Sequence, residues 1–468
     1  MSPASATSGK LPPNRRVVLL TVCLGAFMAT LDTSIVNIAL PQIAKDFQCS
    51  LVQISWVMLI YLLMNVALLL SSGRLGDLLA PGKLFLLGLL VFTGASALCG
   101  MSPGLAWMVG ARALQGIGGS LMLGVAPKII ALTYGEGERG LALGLFSTAF
   151  AAGISVGAPL GGVITTYLGW PFIFYINLPI CAVAFGVGSG ALRPLKAQKV
   201  WSWQAFDLGG GVILAGTLGL FLLGLSWVQK TGGSPKALAA LGAAALLALG
   251  LHFLERRHPE PLLHPALWRS WPFLIGSLAV VLTFAPVMGT FFLLPFFLEQ
   301  VYRYTPDQAG FLLAALSASN ALVAPLGGYL ADRLGNLLIL RTGAGLILAG
   351  LISLLFTGLD SSTLALAARF IVLGLGFGLF QAPNLNEILS DVFPAMIGLA
   401  ASTNAVLKNL GSLVGITLMV TVFAWLRTPN LAIEGGTGMG LSSFHKAFAL
   451  AALLAALNLA ANLLPRKR

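Results

Sequence analysis

The sequence predicts an all-α polytopic membrane protein: two related six-helix halves plus two inserted helices, fourteen transmembrane helices in all. Three observations predict it. Charged residues are only 9% of the 468, where a soluble domain carries roughly 25%. The 27 Lys and Arg and 15 Asp and Glu are too few to coat a 48.7 kDa globule in water. Second, the hydrophobic 57% falls in runs of about 20 residues, which suits a bilayer-crossing helix and is about twice a transmembrane β-strand. Third, the chain repeats itself at an offset of about 255 residues. GRLGD at 73–77 returns as GYLAD at 328–332. Arg112, with Gly116 and Gly118, returns as Arg369, with Gly374 and Gly376. Gly153 and Gly157 return as Gly411 and Gly415.

Each element is bounded by Gly, Pro or charge. The first 16 residues are a polar tail ending in Arg15 and Arg16. The next run is too long for the apolar core of a signal peptide and has no small-residue cleavage site, so it reads as a first span. Spans one to six cover 17–40, 52–72, 84–101, 105–133, 141–166 and 171–192. A polar stretch, RPLKAQKVWSWQAFD, precedes spans seven and eight at 208–228 and 237–254. After the loop ERRHPEPLLHPALWRS come the last six, at 273–298, 308–330, 337–358, 363–383, 396–426 and 444–464. The expected division is a tail at 1–16, an N-terminal half at 17–195, a two-helix insert with its loops at 196–270 and a C-terminal half at 271–468.

An even number of spans puts both termini on one side. Basic residues favour the loops of that side by about three to one, which makes it cytoplasmic by the positive-inside rule. The net charge of +12 is therefore topology and implies no nucleic acid. The expected setting is the cell (inner) membrane, with lipid around a monomer. Four cysteines show no metal-binding spacing, His258 and His264 read as solvated loop residues, and no metal site is expected. No hydrolytic or redox constellation and no phosphate-binding G-x-x-x-x-G-K-[ST] motif is present, so neither an enzyme nor an ATP-driven pump is expected. A central site between two related halves is instead how secondary transporters alternate access.

Few ionisable residues lie deep in the spans, and such residues are costly enough to imply a purpose. Asp32 is the only acid well inside an N-half span, ~12 Å from the outer end of span one. Arg112 lies ~10 Å from the outer start of span four, so an ion pair between them is feasible. A carboxylate poised between burial and a neighbouring cation suits reversible protonation; the bland alternative is a pair that only welds two helices. Gln115 shares the Arg112 face of its helix and can bond Arg112, a substrate, or a packing neighbour. Lys408 lies near mid-membrane, with three readings open: balancing Asp32, contacting a substrate, or pairing with Glu387 or Asp391. Arg369 matches Arg112 by repeat position, but no acid in span nine faces it. Glu299, near an outer helix end, is expected to be solvated. Large side chains for a substrate cavity are Trp56 and Tyr61 on span two and Phe284, Phe291 and Phe292 on span nine. An aromatic cavity with one carboxylate suits amphipathic monocations.

Cytoplasmic loops are expected to carry Arg74 with Asp77 and Arg333 with Asp332, pairs able to latch the inner side. Gly153, Gly157 and Gly161 form a smooth stripe on span five, with Gly411 and Gly415 as its counterpart. The stripes are expected to let two helices rock against each other.

Several strings together resemble a known family. LDTSIVNIALP at 31–41, GRLGDLLAPGK at 73–83, RALQGIGGS at 112–120, GISVGAPLGG at 153–162, LPFFLEQVYRYTPDQAG at 294–310 and NAVLKNLG at 404–411 occur in the right spans and order. They are similar to signatures of the major facilitator superfamily, in its fourteen-helix drug:proton antiporter branch. Departures are Leu78 where a basic residue is usual, Ala80 where Gly is usual, Ala158 in the usual Pro position, Glu299 for Gln and Lys408 for Arg. The resemblance implies a proton-coupled multidrug exporter with Asp32 as proton site and Arg112 as its partner. It also implies the latch role of the 73–83 loop, and it needs no cofactor beyond the proton gradient. The alternatives are an exporter of one metabolite, lipid or siderophore on the same scaffold, or, from another class, a channel or non-transporting receptor.

Overall fold

Local chemistry sets many of the helix ends. The computed structural model describes residues 14–193, 195, 208–231, 234–257, 267–393, 396–425 and 440–463. In it α1 (Arg15–Asp46) has 32 residues, about 48 Å of helix, and so stands out of a ~30 Å hydrocarbon layer. A Ser50/Gln53 capping box opens the single turn α2 (Leu51–Ile54), satisfying backbone N–H groups that a helix start leaves unpaired. α3 (Trp56–Leu78) follows directly. Pro81 starts α4 (Pro81–Gly100) at the one place where a missing N–H costs nothing. α5 (Leu105–Thr133), α6 (Glu136–Tyr167), the short α7 (Phe172–Tyr175) and α8 (Asn177–Leu192) complete the first half. The inserted pair is α9 (Leu208–Thr231) and α10 (Pro235–Arg257).

The second half begins with α11 (Trp271–Gln300), capped by the Ser270 side chain. α12 (Pro306–Leu334) starts on a proline. Gly335, at φ +92°, turns the chain into α13 (Asn336–Leu355), in a left-handed conformation that other residues resist. α14 (Thr363–Leu389), capped by Ser362, α15 (Ile397–Trp425) and α16 (Leu441–Leu463) follow. Among the described residues, thirteen helices are long and apolar enough to cross a membrane, and α10 contributes a shorter apolar stretch, Pro235–Leu251. The polar tail before residue 14, the stretch 196–207 and the loop 258–266 with His258 and His264 lie outside the described residues.

One expectation about loops is corrected. The GRLGD and GYLAD segments are not loop but the last turns of α3 and α12. Nothing breaks the helix there until Ala80-Pro81 in the first copy and Gly335 in the second.

The two halves are packed by the same contacts at repeat-related positions. Gly88 on α4 lies so close to α5 that a methyl group on it would be 2.8 Å from the Gly118 carbonyl oxygen. In the second half a methyl on Gly343 of α13 would be 2.9 Å from the Gly376 carbonyl oxygen of α14. Gly116 meets Tyr61 and Met64 of α3, and Gly374 meets Leu316 and Ser319 of α12. Small residues allow this approach where no hydrophobic force between helices exists to drive it.

The glycine stripes behave differently from expectation. Gly153, Gly157 and Gly161 pack α6 on α1 of its own half, against Thr30, Ser34 and Ile35. Thr30 and Ser34 fasten this contact with hydrogen bonds to the Phe150 and Ile154 carbonyls, each 2.9 Å. Gly411 and Gly415 likewise pack α15 on α11, against Phe284 and Ala285. Neither stripe faces the other half. A stripe of small residues fits whichever neighbour lies closest, and spacing alone does not say which.

Contact between the halves runs along α6 and α12 on one side, and along α3 and α15 on the other, where α9 also packs. Here the close approaches are Gly162 against Pro306 and Gly310 against Ala158. Hydrogen bonds bridge the halves from Ser155 to the Ser317 carbonyl (3.2 Å), Thr166 to Asp307 (3.1 Å), Asn37 to the Phe291 carbonyl (2.8 Å) and Gln42 to Glu299 (3.3 Å). All four lie between mid-height and the end of the molecule where α1 finishes at Asp46.

Gly157→Leu and Gly162→Leu should therefore fail differently. The first overpacks α1 within one half, for about 1–3 kcal/mol or more, and should lower the unfolding temperature in detergent. The second should leave that temperature near wild type but lengthen the distance between spin labels at Leu168 and Gln308. Equal loss of stability in both would contradict this assignment of the seam.

Candidate functional site

Five helices of the first half converge on Asp32. α1 supplies the carboxylate, α5 supplies Arg112 and Gln115 one turn apart, α4 supplies Ser96, α8 supplies Asn177 and α3 supplies Val57 and Tyr61. Arg112 Nη1 donates to Asp32 Oδ2 at 2.5 Å and to Gln115 Oε1 at 2.6 Å, while its Nε donates to the Val57 carbonyl at 3.0 Å. Asp32 Oδ1 accepts from Gln115 Nε2 at 2.8 Å and from Asn177 Nδ2 at 2.9 Å. Gln115 Nε2 also donates to Ser96 Oγ at 2.8 Å. The guanidinium carbon sits 4.4 Å from the centre of the Tyr61 ring, a cation–π contact that strengthens with desolvation.

Asp32, Arg112, Gln115, Ser96 and Asn177 all have 0% relative exposure. Burying two charges is expensive, and only mutual attraction plus full hydrogen bonding offsets it. Asp32 has three donors, so its accepting positions are nearly filled. Arg112 Nη2 is buried without a hydrogen-bond partner. Asp32 in this arrangement offers nothing to a cationic substrate, which removes the basis on which the sequence favoured monocations. Ser96 and Asn177 carry no motif; the only signal for them was a polar residue within an apolar run.

The expected cavity aromatics separate into different places. Tyr61 is 3% exposed and serves as the floor under Arg112. Trp56 lines a small crevice at the seam with Val52, Ser55, Leu59, Leu222, Ser226, Thr417 and Val420, in whose lining Asp32 takes no part. Phe291 takes part through its backbone, as the carbonyl that Asn37 bonds. Phe292, 1% exposed, stacks on Phe296 with ring centres 5.8 Å apart inside the second half, so it is not a cavity residue. Phe284 stands edge-to-face with Phe377 at 5.1 Å, and Lys408 Nζ lies 5.6 Å from the Phe284 ring centre.

The remaining charges also resolve. Lys408 forms no ion pair with Glu387 or Asp391. Asp391 instead accepts from Ser270 at 2.9 Å. Arg369 turns toward its helix start, with contacts to Ser361 Oγ (3.4 Å) and the Phe356 carbonyl (3.3 Å), so it does not reproduce Arg112. Glu299 is not solvated as expected: it is half-buried, held by Gln42, with Oε1 buried and unpartnered.

The latch expectation is corrected in the second copy. Asp332 and Arg333 are exposed neighbours that do not pair, because adjacent residues on a helix point apart. Arg333 lies over the Tyr329 ring instead, at 4.6 Å. In the first copy Arg74 is half-buried in the last turns of α3, and the Asp77 side chain lies outside the described residues. The fastening visible there is Lys128 Nζ donating to the Gly76 carbonyl at 2.8 Å, from a residue that no motif singles out.

With this geometry in place, residues 22–416 match the family model of the Major Facilitator Superfamily. The chain belongs to the major facilitator superfamily. It is accordingly a multi-pass membrane transporter of small molecules and not an enzyme. It is 32% identical over 438 residues to the riboflavin transporter RibZ of Clostridioides difficile, covering 93% of this chain and 94% of that one. It is 30% identical to the tetracenomycin C resistance and export protein of Streptomyces glaucescens, over 90% of this chain and 78% of that one. It is 27% identical to the multidrug efflux pump LfrA of Mycolicibacterium smegmatis, over 96% and 89%. The crystal structure of tetrameric PepTSo2 superposes with a TM-score of 0.66 at 13% identity, over 96% of this chain and 97% of that one, a likeness of fold. Relatives of this major facilitator thus carry names of both drug-efflux proteins and a riboflavin transporter.

Removing one charge from the Asp32 cluster should cost more than removing both. Arg112→Leu leaves an uncompensated buried carboxylate and should cost about 3–5 kcal/mol, read as a lower unfolding temperature in detergent. Adding Asp32→Leu to it should recover part of that loss. Additive losses would show that the pair is not coupled.

Proposed function

We propose that this transporter is a proton-coupled exporter of amphipathic aromatic compounds, working by alternating access with Asp32 as its proton site. The observation that carries the reading is the enclosed Asp32–Arg112 pair, tied to five helices of one half. A proton on Oδ2 would face Arg112 Nη1, which has no lone pair to accept it. A proton on Oδ1 would displace Gln115 or Asn177. Either way, protonation breaks a bond between helices, so proton binding and helix arrangement are linked. A buried network of this kind has two discrete states rather than a gradual response.

The basic-residue bias makes the Arg15 end cytoplasmic, with both termini on that side of the cell membrane. The halves are then pinned together on the outer side in this state. Release to the outside requires breaking the Asn37–Phe291, Gln42–Glu299 and Thr166–Asp307 bonds. Protonation of Asp32 on α1 is placed to drive this, because Asn37 and Gln42 lie on the same helix one to three turns away.

The relatives named as drug-resistance and efflux proteins support a broad range of aromatic substrates. A second reading, a carrier for one metabolite such as riboflavin, is favoured by the identity to RibZ over nearly all of both chains. Both readings use the same coupling.

Reconstituted protein with an imposed pH gradient should accumulate substrate saturably from a panel of aromatic dyes, antibiotics and riboflavin. Asp32→Asn should abolish gradient-driven accumulation while remaining folded in the membrane. Full gradient-driven transport by that variant would falsify the assignment. Accumulation of riboflavin alone would decide for the metabolite reading.

A further inference from the structure

Besides Arg112, one basic side chain among the described residues is far from both ends of its helix. Lys408 is 11 residues from the start of α15 and 17 from its finish, ~16 Å and ~25 Å of helix, beyond the reach of its own stem. Arg369, by contrast, reaches its helix end. Lys408 is half-buried, and no carboxylate among the described residues pairs with it. Its contact is the Phe284 ring face at 5.6 Å. Gly411 and Gly415 press the α15 backbone onto Phe284 and Ala285 of α11, which fixes the Lys408 stem along that ring. Phe377 of α14 stands edge-on to the same ring, 5.1 Å between centres.

One turn back on the same face of α15, Asn404 is 4% exposed and its Oδ1 is buried with no hydrogen-bond partner. A group that only donates and a buried group with an unmet acceptor thus stand side by side, next to an aromatic corner. The Asn404 oxygen can accept a hydrogen bond from a molecule held beside Lys408. In the other half, Asp32 is sealed, with three donors already on its two oxygens, and Glu299 lies at the very end of α11. The charge available to a substrate at mid-membrane is therefore positive.

Resting on the exporter reading above, we propose that Lys408, Asn404, Phe284 and Phe377 form a substrate subsite for flat aromatic molecules carrying an anionic or strongly polarised acceptor group. A carboxylate, phenolate or imide oxygen meets Lys408, a neighbouring N–H or hydroxyl donates to Asn404, and the ring system packs on the two phenylalanines. Lipophilic cations are disfavoured by like charge at the same point. This reverses the preference that a single buried carboxylate suggests.

Two xanthene dyes of the same ring system and opposite charge test this, carboxyfluorescein and rhodamine 123. Binding is read by fluorescence anisotropy on the purified chain in detergent, independently of any proton gradient. Wild type should bind carboxyfluorescein about tenfold tighter than rhodamine 123, or more. Lys408→Gln should remove that preference, and Lys408→Arg should restore it, since guanidinium also meets a carboxylate. Unfolding temperatures separate loss of the subsite from loss of the fold. If Lys408→Gln does not fold, the charge preference of the wild type still decides. Tighter wild-type binding of rhodamine 123, or an unchanged preference in a folded Lys408→Gln, overturns the proposal. If neither dye nor any other panel member is transported in proteoliposomes while the binding preference holds, the exporter reading fails and the subsite stands.

Discussion

A carboxylate and a guanidinium shut away from water, with no exposure at all, is the constraint to which the first half is built. Neither charge is tolerable alone, so three other helices of the half contribute to holding them. Asn177 comes from α8, Ser96 from α4, the Val57 carbonyl and the Tyr61 ring from α3. The same bonds that make the pair affordable also lock the helices in one arrangement. The polar links that α1 makes to α11, Asn37–Phe291 and Gln42–Glu299, lie further along the same helix as Asp32.

The second half uses the same scaffold without that constraint. Its glycines reproduce the close packing of the first, with Gly343–Gly376 standing where Gly88–Gly118 stands. Its repeat-related arginine does not reproduce the chemistry. Arg369 pairs with no acid among the described residues and turns toward its helix start, while the membrane interior of this half holds Lys408 over an aromatic ring. The two frames are thus alike in packing and differ in charge: one holds the sealed Asp32–Arg112 pair, the other a lysine over an aromatic ring.

The expectations about glycine and about aromatics failed for a common reason. Gly153, Gly157 and Gly161 announce a close helix contact, but α1 and α12 are both neighbours of α6, and only tertiary packing shows which one the stripe meets. Gly162, one residue beyond the stripe, turned out to face the other half. Similarly, Tyr61 and Phe292 are indistinguishable in sequence from cavity-lining rings. Burial places one under Arg112 and the other in a stack with Phe296.

The sequence by itself determined the membrane class, the helix order, the internal repeat and the two residues that form the buried pair. These follow from one-dimensional quantities: run length, charge spacing, offset, and the depth of a residue along a straight helix. Tertiary structure alone decided that Asn177 and Ser96 complete the Asp32 cluster, that the halves meet at the Asp46 end, and that Lys408 stands on Phe284 without a carboxylate. Those facts depend on helix rotation about its axis and on which helices are neighbours. An apolar span that buries nearly every side, as α11 does, carries no periodic signal of its orientation.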